Sequence, residues 1–418
     1  MYQEKIKVDW VTIWLWFAIM LFGWLNIYAA GYDEEHAAVF DFSVQHGKQI
    51  IWIAIAALLA IIILYTEPRV FSNTAYAIYG IVMVLLVVTL FIATVTKGGK
   101  SWIDFGSFKF QPSEFAKFAT ALAVSKYLSA IGVDLKVMRT KVVTVALIAI
   151  PAALIFLQHD TGSALVFLGF VLPLYREGLS GNILVIGVSA IVLFVLALLV
   201  NKFILLGILV ILALLYLFVW LNKRTRNDYL HTLIVVASCA LFVFSVDFVF
   251  NSILEPHQRE RIDVLLGKTE DLQGSGYNVN QSKIAIGSGG IIGKGFLNGT
   301  LTKADFVPEQ ETDFIFCTVG EEWGFFGCTL LIVLYVILLQ RLIVMAERQR
   351  SSFARVYGYS VASILFIHLF VNVGMVLGLV PVIGIPLPFF SYGGSSLLAF
   401  TILLFIFIRQ DASKNQLL

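Results

Sequence analysis

The residues best suited to chemistry in this 418-residue chain stand in four polar clusters along an otherwise apolar sequence. The richest begins at Glu270-Asp271 and continues through Gly274-Ser275-Gly276-Tyr277 and Gln281-Ser282-Lys283 to Gly293-Lys294-Gly295. Glycine-rich turns with adjacent lysines can cradle a diphosphate through backbone N–H groups and ammonium charge. An aspartate beside them, Asp271, suits a general base next to an anionic substrate. The run is not a nucleotide P-loop. Ser288 stands where the first glycine belongs, and Gly295 where a serine or threonine must follow the lysine. A solvated turn is the plain alternative.

The other three clusters lie next to apolar runs. Gln111-Pro112-Ser113-Glu114-Phe115-Ala116-Lys117 reads as a helix start, with Glu114 and Lys117 on one face. Either they form an intrahelical ion pair near the membrane interface, or that face lines a polar cavity, because exposing it to lipid is costly. In Gln158-His159-Asp160-Thr161-Gly162-Ser163, Asp160 is a natural helix N-cap that can also border a site, and His159 an interfacial hydrogen-bonding residue. From Pro381 to Ser396 there are three prolines in eight residues, so regular helix is excluded. Non-helical backbone at membrane depth implies a cavity mouth. We expect Glu114 and Lys117 to share one internal cavity with Asp160 and this stretch. No histidine or cysteine pair stands at metal-ligand spacing.

The elements that must position these groups are membrane helices. The chain is 59% hydrophobic and 13% charged, against about 25% charged in soluble domains. That excludes a water-soluble globule; the net charge of +2 says little, because distribution matters more than the sum, and no nucleic-acid partner is expected. At roughly 20 apolar residues per crossing, twelve spans are expected. They lie near 10–30, 49–66, 74–96, 113–131, 142–158, 160–175, 180–200, 203–221, 231–252, 313–340, 356–380 and 388–408. The first reads as a retained helix, without a small-residue cleavage site.

Basic residues fix the expected sidedness. Lys5 and Lys7 start the chain, and connections after even-numbered spans carry Arg69, then Lys136, Arg139 and Lys141, Arg176, Lys223 to Arg226, and Arg341 to Arg350. Both termini should therefore be cytoplasmic, and the long hydrophilic segment 253–312 extracytoplasmic. Lys97, Lys100 and Lys109 are the exception, on the outer side.

Taken together, the stretches GGKSWIDFGSFKFQPSEFAK, QHDTGSALV, GSGYNVNQSKIAIGSGGIIGKGFLNGT, FVPEQETDFIF and PVIGIPLPFFSYGGSS resemble the SEDS family (shape, elongation, division and sporulation), in its elongation branch. The resemblance implies an all-α polytopic membrane protein, one integral domain over 1–418, with a family core of ten spans. The pair beyond ten would fall within about 180–250. The family more often has Gln-Pro-Asp where this chain has Gln158-His159-Asp160.

The resemblance also implies an enzyme: a peptidoglycan glycosyltransferase of the bacterial inner membrane that joins lipid II into β-1,4 glycan strands during elongation and rod-shape maintenance. The family's loop aspartate falls on Asp271, as the base for the acceptor GlcNAc 4-hydroxyl. Glu114, Lys117, Asp160, Gln281, Ser282, Lys283 and Lys294 fall among substrate-binding positions. Undecaprenyl diphosphate leaves with charge stabilisation from lysines or from a divalent cation, Mg or Mn; no other cofactor is implied. Expected partners are a class B penicillin-binding protein transpeptidase and other membrane proteins of the elongation machinery. The rival reading is a lipid II flippase, since polytopic helices with internal charges suit transport equally.

Overall fold

The computed structural model describes residues 7–32, 38–96, 99–106, 109–221, 225–253, 259, 263, 275–303 and 306–414. It is a multi-pass helical membrane protein. Ten helices are long and apolar enough to cross a bilayer. The other two expected spans are helical but shorter. One is α4, Pro112–Leu128, 17 residues. The other is the interrupted segment Thr161–Arg176, in which α6 (Thr161–Val166) and α7 (Val171–Arg176) flank a 3-10 turn, Phe167–Phe170.

The described residues divide into two compact units, Ser180–Gly276 and everything before and after it. The larger contains α1 (Trp10–Ala30), α2 (Gln45–Tyr65), α3 (Pro68–Ile92) and α4, then α5 (Met138–Leu157), α6 and α7. Between α3 and α4 lies a small antiparallel sheet, β1 (Thr94–Thr96), β2 (Gly99–Asp104) and β3 (Lys109–Phe110), in the order β1-β2-β3. The smaller unit holds α8 (Gly181–Leu199), α9 (Lys202–Leu215) and α10 (Arg226–Phe248). There α10 packs on both neighbours, and Lys202 pairs with Asp247 at 2.8 Å. No residue of α8 is buried, as expected of a helix whose apolar sides meet lipid. The chain then returns to the larger unit through α11 (Ser275–Gly289), α12 (Ile315–Glu347), α13 (Ser352–Val376) and α14 (Gly394–Ala412).

Helix α4 explains how charge is tolerated inside. It packs against α3, α5, α13 and α14, and every residue from Ala116 to Ser125 is buried. Surrounded by protein, it needs neither the length nor the all-round hydrophobicity of a lipid-facing span.

One end of the larger unit is tied by charge. Asp9, the N-cap of α1, accepts hydrogen bonds from Arg341 at 2.8 Å and Arg348 at 3.3 Å. Arg348 also bonds Asp411 of α14, which takes a further bond from Gln349 at 2.7 Å. Burial pushes the Asp9 carboxyl up, but the bonds from Arg341 and the Thr12 amide, with both arginine charges, hold it below its ordinary value.

At the opposite end α12 is broken. Gly324 has φ 62 and ψ −156, far from helical. The carbonyls of Glu321 and Glu322 accept from Lys294 N at 3.0 Å and Gly295 N at 2.9 Å. The amides of Phe325 and Phe326 donate to Gly290 O at 2.9 Å and Ile291 O at 3.2 Å. The glycine-rich run after α11 is thus a strap whose backbone replaces the bonds the helix loses. Such replacement is what permits non-helical backbone at membrane depth. Gly293, at φ 87, lies so close to Glu322 O that a Cβ would overlap it.

Replacing Gly293 with alanine should therefore cost more than the roughly 1–2 kcal/mol of a left-handed alanine, seen as a lowered unfolding temperature in detergent. Gly287→Ala is the control, because a Cβ there meets nothing within 4 Å, and it should leave that temperature unchanged or raise it.

Candidate active site

The polar clusters of the sequence converge at the end of the larger unit where the strap lies. On α4, Lys117 donates to Glu114 Oε2 at 2.7 Å and lies 2.9 Å from His368 Nε2 on α13. An ammonium only donates, so His368 Nε2 accepts and its Nδ1–H donates to Pro386 O at 3.0 Å. The ammonium also stands 4.8 Å from the centre of the Phe400 ring of α14, a cation–π contact. Glu114 and Lys117 are 2% and 1% exposed. Neither faces lipid. Side-chain charge is compensated within one buried chain, carboxylate to ammonium to imidazole to carbonyl.

Asp160 joins α4 from the other side. It caps α6 by accepting from Ser163 N at 3.0 Å through Oδ1. Its Oδ2 accepts from Gln111 at 2.9 Å and Ser113 at 3.0 Å, immediately before Glu114. Capping and site-bordering are thus done by the two oxygens of one carboxylate. Its neighbour His159 has φ 62, a conformation closed to proline, whose ring fixes φ near −65°. The sheet reaches the same place, since Lys100 N donates to Gln158 O at 2.8 Å.

The 381–396 stretch is non-helical up to Gly394, as its prolines require, and its backbone is satisfied by side chains from surrounding helices. Asn372 donates to Ile385 O and Asp313 O, both at 2.8 Å. Tyr335 of α12 donates to Pro388 O, and Leu387 N donates to Ser391 Oγ at 2.8 Å. Gly162 of α6 packs directly on Ile383 and Ile385. Ser395 accepts from Gln111 N at 3.3 Å and donates to Lys109 O at 3.1 Å, closing the ring back to α4. Phe389, at φ 66, is a left-handed non-glycine residue in this segment. Such residues persist only where surroundings enforce them.

The loop cluster divides. Asp271 lies outside the described residues. On α11, Ser282 is buried and its hydroxyl is used by the fold, within 2.8 Å of Val376 O and 2.9 Å of Val279 O. Gln281 is half-buried. Lys283 is exposed, its ammonium lying against Gly378 just beyond α13. Lys294 instead donates to Glu321 at 2.6 Å and Thr300 at 2.7 Å. Among the described residues no three His, Cys, Asp or Glu side chains converge as a metal site requires.

Three contributors were not legible in the sequence. His368 and Asn372 sit singly in apolar spans with no spacing signal, and Glu321 stands in the pair Glu321-Glu322 without a partner at helical spacing. Their cue is only that buried polar groups in membrane helices need partners.

The comparisons with known proteins agree with this architecture. A family profile described as FTSW_RODA_SPOVE, Cell cycle protein, matches residues 9–200 and 206–416. The chain is 32% identical over 398 residues to Peptidoglycan glycosyltransferase MrdB of Escherichia coli (strain K12), covering 95% of this chain and 91% of that protein. It is 29% identical to Peptidoglycan glycosyltransferase RodA of Treponema pallidum (strain Nichols), over 93% of this chain and 94% of that one. Among solved structures, a chain in work described as the structural coordination of polymerization and crosslinking by a peptidoglycan synthase complex matches with TM-score 0.69 and 26% identity. That match covers 97% of this chain and 98% of the other. The crystal structure of Thermus thermophilus Rod shape determining protein RodA shares the fold at TM-score 0.62 and 24% identity, over 97% of each chain. By sequence and fold alike, the chain belongs to the SEDS family, the FtsW/RodA/SpoVE cell cycle proteins.

Proposed function

We propose that this protein is a peptidoglycan glycosyltransferase that polymerises lipid II into β-1,4 glycan strands during cell elongation. The observation that carries the reading is the gathering of α4, Asp160, the 381–396 segment and α11 at one end of the bundle, in a chain whose relatives are named for that activity.

In this mechanism Asp271 takes the proton from the acceptor GlcNAc 4-hydroxyl as its oxygen attacks the donor's anomeric carbon. The C–O bond to the diphosphate breaks, the anomeric centre inverts, and undecaprenyl diphosphate departs with the bonding pair. A diphosphate is a good leaving group, so charge stabilisation matters more than protonation. Lys283, exposed on α11, supplies that charge. Glu114, Lys117 and His368 form a rigid polar floor beneath the 381–396 mouth, and Asp160 with Gln111 meets the polar part of the substrate at its edge. Preorganised, already-bonded groups of this kind need no reorganisation when charge develops.

The basic connections support a cytoplasmic location for both termini and an extracytoplasmic one for the α11 end. The likeness to a chain of a synthase complex supports a transpeptidase partner, a class B penicillin-binding protein.

Purified protein offered lipid II in detergent should yield polymer; transbilayer movement of lipid II without polymer would mark a flippase instead. Asp271→Asn keeps size and polarity but cannot accept the proton. It should lower polymerisation by about 10²–10⁴-fold while membrane insertion persists, and near-normal activity would move the base elsewhere. Lys117→Met should strand Glu114 as a buried charge and cost about 3–5 kcal/mol, measured by unfolding in detergent. Adding Glu114→Gln should recover part of that loss.

A further inference from the structure

Glu321 sits on α12 and has no part in the mechanism above, yet its carboxylate takes hydrogen bonds from four residues. It is fully buried. Its Oε1 accepts from Lys294 Nζ at 2.6 Å, Thr300 N at 2.8 Å, Thr300 Oγ1 at 3.1 Å and Leu301 N at 2.9 Å. Its Oε2 accepts from Thr302 N at 2.9 Å and Thr302 Oγ1 at 2.8 Å. All these donors belong to the strap or the turn that follows it. The backbone of the same stretch fills the break in α12, and Phe296 adds a ring contact with Trp323 at 6.0 Å.

The strap begins where α11 ends, and α11 has a second anchor. Ser282 bonds Val376 O, at the end of α13. Held at Ser282 and at Gly289–Gly295, the helix that carries Gln281 and Lys283 has its place fixed relative to α12 and α13.

We infer that Glu321 is a positioning residue for glycosyl transfer: with Lys294 it clamps the glycine strap into the broken α12 and so fixes α11 and the Lys283 it carries. This rests on the proposed polymerase activity. It also gives Lys294 a different task from holding the diphosphate, because its ammonium is already bonded to a buried carboxylate and a hydroxyl. The four backbone bonds reach only the break in α12, and ring contacts of Phe296 with Tyr28 and Trp323 steady the start of the following turn. Glu321 adds the bonds to the amides of Thr300, Leu301 and Thr302.

Lipid II polymerisation is measured over a range of substrate concentrations for Lys294→Met, Glu321→Gln, the double variant and Lys294→Arg. A misplacement of the order of 1 Å costs about 10²-fold in rate. Each single change should therefore lower kcat by up to that order with KM little altered. The double variant should fall no further than Glu321→Gln alone, and Lys294→Arg should keep most of the activity. Spin labels at the exposed positions Ile284 and Leu330 should report a broadened distance distribution in Glu321→Gln, well below its unfolding temperature. Where Glu321→Gln fails to accumulate, Lys294→Met, on a partly exposed side chain, carries the test. A raised KM with unchanged kcat in Lys294→Met overturns the inference and makes Lys294 a substrate ligand. Unchanged kinetics or an unbroadened distribution in a folded Glu321→Gln overturns it too. Wild-type protein that makes no polymer, by contrast, overturns the activity on which the inference rests.

Discussion

Backbone amides and carbonyls cannot be left bare in hydrocarbon, and the working end of this protein is arranged around that constraint. Two stretches give up helical bonding at membrane depth: the break in α12 and the segment before α14. Each is repaired differently. The break is filled by the backbone of a glycine strap, amide for amide. The proline-containing segment is held by side chains, with Asn372, His368 and Tyr335 reaching its carbonyls. Buried polar residues that look like chemistry in the sequence thus divide into those that keep backbone satisfied and those left to meet substrate.

Charge follows a related rule. Inside protein a lone ion is costly, and an ion with a partner and further hydrogen bonds is tolerable. Glu114, Lys117 and His368 satisfy one another within α4 and α13, and Glu321 is satisfied by the strap. The charges of this region are thus already fixed in place. That is the condition under which hydrogen-bonding groups stabilise developing charge most effectively.

Much of this was legible in the sequence because membrane spans are written in length and hydropathy. Ten expected spans correspond to helices of crossing length. The 160–175 segment was legible as a short span and is Thr161–Arg176, and α4 is slightly shorter than the expected 113–131, since burial within the bundle relieves it of spanning unaided. The shared face of Glu114 and Lys117 followed from i, i+3 spacing, and the cap at Asp160 from residue type. The two oxygens of Asp160 doing separate jobs could not be read, nor could His368. Spacing rules report neighbours along one helix, whereas these contacts join residues 251 and 49 positions apart. The small sheet at 94–110 was missed because its strands are too short for alternation to register. The division of labour between Lys283 and Lys294 was hidden for the same reason: the partner of Lys294 comes 27 residues later, in a different helix.

The clamp at the other end of the bundle bears on biosynthesis. Asp9 precedes the first membrane helix, yet its partner Arg341 lies 332 residues downstream and is followed by Arg348 and, through it, Asp411 of the last helix. At about 5–20 residues per second, roughly twenty seconds to a minute of synthesis separate that carboxylate from its partners. Until then it must stay hydrated at the membrane surface, which keeps the first helix from sinking or reversing. When α12 and α14 arrive, the same charge becomes a latch joining the first helix to the last. Its full closure requires α14 to have been made.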